Sequence, residues 1–179
     1  MLCILANLRY SLYAQSKLGG NILTTELTID VNACVDFLVG LLNTPSPTGY
    51  HDEAIAYSQA AFEELAFPGL TSTKTHKGAL LIKIPGQSQE SPIGLTAHID
   101  TLGFMVKEIK SNGRLRLTRL GGILWNSVES AGVTVRTHDD KRYRGTIALE
   151  NTSTHVNRRA HNTERNEDTM EVRVDERTT

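Results

Sequence analysis

The segment Ala97-His98-Ile99-Asp100-Thr101-Leu102-Gly103 holds the residue types and spacing best suited to chemistry. An apolar run, Ile93 to Ala97, leads directly into His98. A histidine at the carboxyl end of a strand sits where α/β sheets bind ligands. A carboxylate two residues later can hold one ring nitrogen protonated, which fixes the tautomer and leaves the other nitrogen free to bind a metal ion. His-x-Asp is short, however, and a histidine that merely closes a strand end against Asp100 has the same pattern. The remaining histidines read more simply. His51 and His76 fall at a helix start and a turn, and His138 falls in a hairpin turn. His155 and His161 lie in a polar loop, together with Arg158, Arg159 and Arg165 and the acids Glu164, Glu167 and Asp168.

The elements that must position His98 and Asp100 can be read from periodicity. Val31, Cys34, Val35, Leu38, Leu41 and Leu42 recur at three and four, which predicts an amphipathic helix over 30–43 with Asp30 as N-cap and Cys34 packed in it. Thr44-Pro45-Ser46-Pro47-Thr48-Gly49 must break that helix, since each proline pushes its predecessor out of the helical region. A second helix is expected from His51 or Asp52, with Asp52 and Glu53 at the positive end of its dipole. Ile55, Ser58, Ala61, Phe62 and Leu65 form its inner face, and Pro68-Gly69 ends it. The period then changes to that of strands: 79–84, 93–98, 104–110, 114–120, 133–137, 142–149 and 170–174, with turns at Asn112-Gly113 and Asp139-Asp140. Helices followed by strands give an α/β class, with a second half that is nearly all β. Within it, 151–168 is polar and poor in structure.

Composition excludes several classes. The 179 residues are 39% hydrophobic and 22% charged, which suits a globular chain of one domain or two small ones. The net charge is −1. Residues 1–103 hold 5 basic and 9 acidic side chains, and residues 104–179 hold 14 and 11, so the second half carries an excess of only three positive charges. These are spread along strands, as in Arg114 and Arg116 or Arg142 and Arg144, and make no concentrated nucleic-acid footprint. No stretch supplies the ~18 uninterrupted apolar residues that span a bilayer. Cys3 and Cys34 make neither a disulfide framework nor a CxxC pair, which fits a reducing cytoplasm. Residues 1–28 are mildly apolar but interrupted by Arg9, with no positive segment ahead of it. They are expected to form a loose or disordered extension rather than a signal or anchor.

Several motifs together resemble a known family. LLNTPSPTGYHDEA followed by a helix, a strand running into AHIDTLGFMV, and then a β-rich module that includes GGILWNSVESAGVTVRTHDDKRYRGT are similar to the dinuclear metal aminopeptidases of family forty-two. That family includes glutamyl, tetrahedral and cellulase-like members. MEVRVDERTT is similar to a later strand of the same module, and the branch associated with osmoprotectant systems looks nearest. The resemblance covers about 30–179. It implies an α/β fold: residues 29–103 as the N-terminal part of a phosphorylase/hydrolase-like aminopeptidase layer, and 104–179 as an inserted β-rich oligomerisation domain, PDZ-like or barrel-like. It implies His98 as ligand of one of two divalent ions (zinc, cobalt or manganese) and Asp100 as its catalytic orienting partner. The bridging carboxylate, the general base and the other ligands would come from sequence after the inserted domain. Catalytic zinc needs about three protein ligands, so the expectation is at most weak metal binding and no turnover by these 179 residues alone. Peptides are the implied substrate and a homo-oligomer the implied assembly, with neither nucleic acid nor membrane as partner. A non-catalytic β-rich oligomerisation or binding module is the alternative.

Overall fold

The computed structural model describes residues 29–86 and 90–175, together with the backbone of residues 2–6. The chain divides into two compact units, Met1–Thr101 and Leu102–Thr179.

In the first unit, helix α1 spans Val31–Leu42 and helix α2 spans Asp52–Glu64. Asp30 caps α1 through a 3.0 Å bond from the Ala33 amide to its carboxylate, which satisfies one of the amides a helix start leaves open. The Thr44 hydroxyl donates back to the Gly40 carbonyl at 2.9 Å, closing the other end. The two helices meet where Phe37 stacks on Tyr57, with centroids 5.5 Å apart. Gly40 permits this approach, because a Cβ there would lie 2.0 Å from the Tyr57 hydroxyl. The periodicity predicted α1 correctly, but its burial differs from the expectation. No residue of α1 is buried, Val31, Val35, Leu38, Val39 and Leu42 are at least half exposed, and Cys34 is exposed.

The sheet of this unit runs in the order β2-β3-β1-β4, with β1 over Leu2–Ala6, β2 over Thr71–Lys74, β3 over Leu80–Ile84 and β4 over Ile93–Ala97. Strand β1 lies within the segment 1–28 expected to be a loose extension, of which residue 1 and residues 7–28 lie outside the described residues. It runs parallel to β3 and antiparallel to β4. Strand β2 was not expected either: Thr-Ser-Thr-Lys has no apolar alternation and is held by pairing with β3. Ile55 of α2 with Leu80 and Ile82 of β3 makes the core of the unit, and Phe62, Leu70, Ile84 and Ile99 pack around it.

The second unit is an antiparallel sheet of order β5-β6-β9-β8-β7. Its strands are β5 Gly103–Ile109, β6 Leu115–Leu120, β7 Gly132–Arg136, β8 Arg142–Leu149 and β9 Met170–Val174. Two hairpins, β5–β6 and β7–β8, are joined through β9. Both turns form where expected. Gly113 and Asp140 adopt φ of +79° and +64°, the left-handed residue that a three-residue hairpin loop requires. A one-turn helix α3, Trp125–Val128, brings Trp125 to 5.1 Å from Phe104, ring centroid to centroid. Leu115, Leu117, Trp125, Ile147, Leu149, Ala160, Met170 and Val172 form the core. On the other face of β9, Glu171 is buried and paired with Lys110 at 2.9 Å and with Arg114. Alternation of side chains along a strand places Glu171 opposite Met170 and Val172.

Candidate functional site

The site is assembled from two loops of the first unit. The proline-rich segment after α1 is extended, and Pro47 bridges to Thr101 in parallel. The Thr101 amide donates to the Ser46 carbonyl at 2.7 Å. A tight turn follows, with the Tyr50 amide on the Pro47 carbonyl at 2.8 Å and Gly49 at φ +90°. Ser46 is almost completely buried beneath this junction, and its hydroxyl has no hydrogen-bond partner among the described residues. The two prolines, which on sequence grounds only end a helix, also supply an extended strand-like edge for the His98–Thr101 loop.

That junction holds a short chain of side chains. His98 Nδ1 lies 3.2 Å from Asp100 Oδ1, and the Thr48 hydroxyl donates to Asp100 Oδ2 at 3.2 Å. Both carboxylate oxygens of Asp100 are therefore engaged. The Asp100 carboxyl is held below the usual carboxylate range, chiefly by the Thr48 hydroxyl. Partial burial opposes the shift, and the charge of His98 adds to it. With Nδ1 turned to Asp100, the Nε2 of His98 is the ring nitrogen left for another partner. The His98 side chain is 81% exposed.

The structure thus brings the His-x-Asp pair together at the end of β4, as its spacing predicts. It differs on the surroundings. The run that forms β4 is apolar, but beyond the half-buried Ile93 it is exposed on both faces, so no apolar wall encloses His98 among the described residues. Thr48 was missed as a member of the site, because it stands 52 positions from Asp100 and nothing local in the sequence ties them. The other histidines are not drawn in. His51 lies at the start of α2, and His138 lies in the β7–β8 loop.

A divalent ion needs several ligands held together. Among the described residues no group of three or more His, Cys, Asp or Glu could hold one. His98 and Asp100 fit one ligand position with its supporting carboxylate, and not a complete coordination sphere.

The arrangement of helices and strands matches that of a TET aminopeptidase from the marine sediment archaeon Thaumarchaeota archaeon SCGC AB-539-E09. The TM-score is 0.66 at 19% identity, over 82% of this chain and 39% of that one. Residues 78–179 match the family described as M42 glutamyl aminopeptidase, and the chain belongs to that family. It is 40% identical over 146 residues to "Putative aminopeptidase YhfE" of Bacillus subtilis (strain 168), covering 82% of this chain and 41% of that protein. It is 35% identical over 85 residues to "Putative aminopeptidase FrvX" of Escherichia coli (strain K12), covering 47% of this chain and 21% of that protein. The chain therefore spans about two fifths or less of the curated relatives it matches. No helix among the described residues is long and apolar enough to cross a membrane.

Proposed function

We propose that these residues carry the first part of a metal-dependent aminopeptidase, which removes N-terminal residues from peptides. The single observation that carries this reading is the His98–Asp100 pair, 3.2 Å apart at the end of β4, in a chain of the M42 family. In this reading His98 Nε2 is one ligand of a two-ion centre, and Asp100 orients the ring. When bound, the divalent ions, zinc, cobalt or manganese, would activate a water molecule and polarise the scissile carbonyl. This chain's own residues bind and orient: Asp100 holds the Nδ1 proton, and the Ser46–Thr48 segment holds Asp100. Because one imidazole and one supporting carboxylate do not retain a metal ion tightly, residues 1–179 alone are proposed to be inactive. We further propose that residues 104–179 serve as an inserted oligomerisation domain of a homo-oligomeric, cytoplasmic enzyme.

A chimera tests the reading. Residues 1–179 joined to the remaining portion of YhfE should hydrolyse amino-acid anilides in the presence of zinc, cobalt or manganese. His98→Ala should reduce that turnover by at least about a thousandfold, a loss of roughly 4 kcal/mol in transition-state stabilisation. A soluble, folded chimera in which His98→Ala retains wild-type turnover would sink the assignment.

A further inference from the structure

We propose that Thr48 is a positioning residue of the site: its hydroxyl locks the Asp100 carboxylate in the orientation that selects the Nδ1–H tautomer of His98 and so bares the lone pair of Nε2. The inference rests on the reading of His98 as a ligand residue and goes beyond it, because it assigns a role to a loop 50 residues upstream.

The argument is geometric. An aspartate side chain turns freely about its last torsion unless both oxygens are held, because that terminal torsion is broad and roughly two-fold. At Asp100, Oδ1 faces His98 Nδ1 at 3.2 Å and Oδ2 accepts from Thr48 at 3.2 Å. Neither bond alone would define the carboxylate plane in an exposed loop, but the two together do. Thr48 is itself held in place. The Thr101 amide bonded to the Ser46 carbonyl at 2.7 Å and the Pro47–Thr101 bridge fix the backbone on which Thr48 stands. The turn from Pro47 to Tyr50, with Gly49 in the left-handed region, then aims the side chain at Asp100. The preceding prolines restrict the segment further, since their φ is preset near −65° and ordering them costs less entropy.

The consequence falls on His98. An imidazole in water favours the Nε2–H tautomer, which would place a proton on the nitrogen needed as an acceptor. A carboxylate fixed opposite Nδ1 reverses that preference, since a neutral ring carries one proton and an ionised carboxylate only accepts. The Thr48 hydroxyl donates to that second oxygen, and a serine hydroxyl can make the same bond.

The test is long-range proton–nitrogen NMR of the ring nitrogens of His98, in the full 179-residue chain at a pH where the ring is neutral. The wild-type chain should show Nδ1–H as the major form. Thr48→Val should raise the Nε2–H to Nδ1–H ratio by about threefold, the lower end of what loss of one hydrogen bond produces. Thr48→Ser should restore the wild-type ratio, which a role confined to packing of the threonine methyl would not do. Thr48→Ala serves as the second deletion should the valine variant fail to fold, and it should match the valine result. Asp100→Ala sets the full range of the shift. Unchanged ring nitrogen signals in both Thr48→Val and Thr48→Ala, or a serine variant that behaves like valine, would overturn the proposal. So would a wild-type ring already in the Nε2–H form. None of these readouts needs peptide hydrolysis, so the positioning role can fail while the chimera is active, and the reverse.

Discussion

The two units of this chain bury their apolar residues to very different degrees. The second, from Leu102 onward, closes a core of its own: eight buried residues, supplied by β9 and the strands on either side of it, by the one-turn helix carrying Trp125 and by Ala160, with Phe104 packed against them. Among the described residues, the first has three buried residues in its core, all from α2 and β3, while the apolar stripe of α1 and both faces of β4 stand exposed. An amphipathic helix draws most of its stability from tertiary packing of its apolar face rather than from propensity. The second unit therefore covers most of its apolar patterning, and the described residues of the first have the patterning for a larger core than they enclose.

The largest expected effect tests the self-sufficiency of the second unit. Leu117 is 4% exposed at the centre of the β6 contribution to the core. Leu117→Ala removes apolar contacts and leaves a cavity that the sheet cannot close, at a cost of about 3 kcal/mol. Urea denaturation followed by Trp125 fluorescence, the single tryptophan of the chain, reports on this unit directly. An unshifted midpoint would mean that the core is looser than its burial indicates.

The contrast between the units also marks what was legible in the sequence. Helix existence followed from local periodicity, and α1 and α2 begin and end within a residue or two of expectation. Burial did not, because a three-four spacing of Val31, Val35, Leu38 and Leu42 shows that an apolar face exists and says nothing about what covers it. Turns were legible because Gly113 and Asp140 suit left-handed backbone that most residues resist. Strands β1 and β2 were not, since both are defined by pairing with β3 from elsewhere in the chain, and β2 has no apolar alternation. The site shows the same division. His98 and Asp100 are two positions apart and could be paired on paper, whereas Thr48 reaches Asp100 only once Pro47 and Thr101 are joined.

A second, intermediate effect sharpens the comparison through charge. Glu171 is 2% exposed and is held by Lys110 and Arg114, and Lys110 also bonds Glu150 at 2.6 Å. Glu171→Ala leaves two cations without their shared anion and should cost about 2 kcal/mol, less than a fully buried pair because Arg114 is partly exposed. Glu171→Gln, which keeps the shape and an acceptor oxygen, should cost less. The network also gives the second unit a defined pH response. Hydrogen bonds to Glu150 and then Glu171 raise the Lys110 pKa, against burial. Its contribution is therefore complete below its unfolded value near ~10.4 and is lost as pH rises through the raised folded value. The hydrogen bond from Lys110, with its charge, lowers the Glu150 pKa, against burial. That contribution is present above the unfolded value near ~4.3 and is lost as pH falls through the depressed folded value. Stability of this unit should thus be flat between about pH 5 and 10 as far as this network is concerned. Lys110→Met should remove the alkaline limb and shrink the acidic one in pH-dependent denaturation curves.

The smallest expected effect on stability is the one most informative about the first unit. Leu38 lies on α1 and is 50% exposed, with no buried neighbour on its own helix. In a finished core, truncating a leucine costs several kcal/mol, whereas an exposed one can be replaced within about ±0.5 kcal/mol. Leu38→Ser should accordingly leave the unfolding midpoint of the 179-residue chain within that range, the slightly lower helix propensity of serine being the main cost. The same substitution should lower the binding of a hydrophobic dye, because it interrupts the exposed apolar stripe from Val31 to Leu42. In the chimera with the remaining portion of YhfE, where a larger core becomes available to α1, Leu38→Ser should instead cost about 2 kcal/mol or more. A cost of that size already present in the 179-residue chain would show that α1 is covered in solution, and the contrast between the two units would then be smaller than their burial indicates.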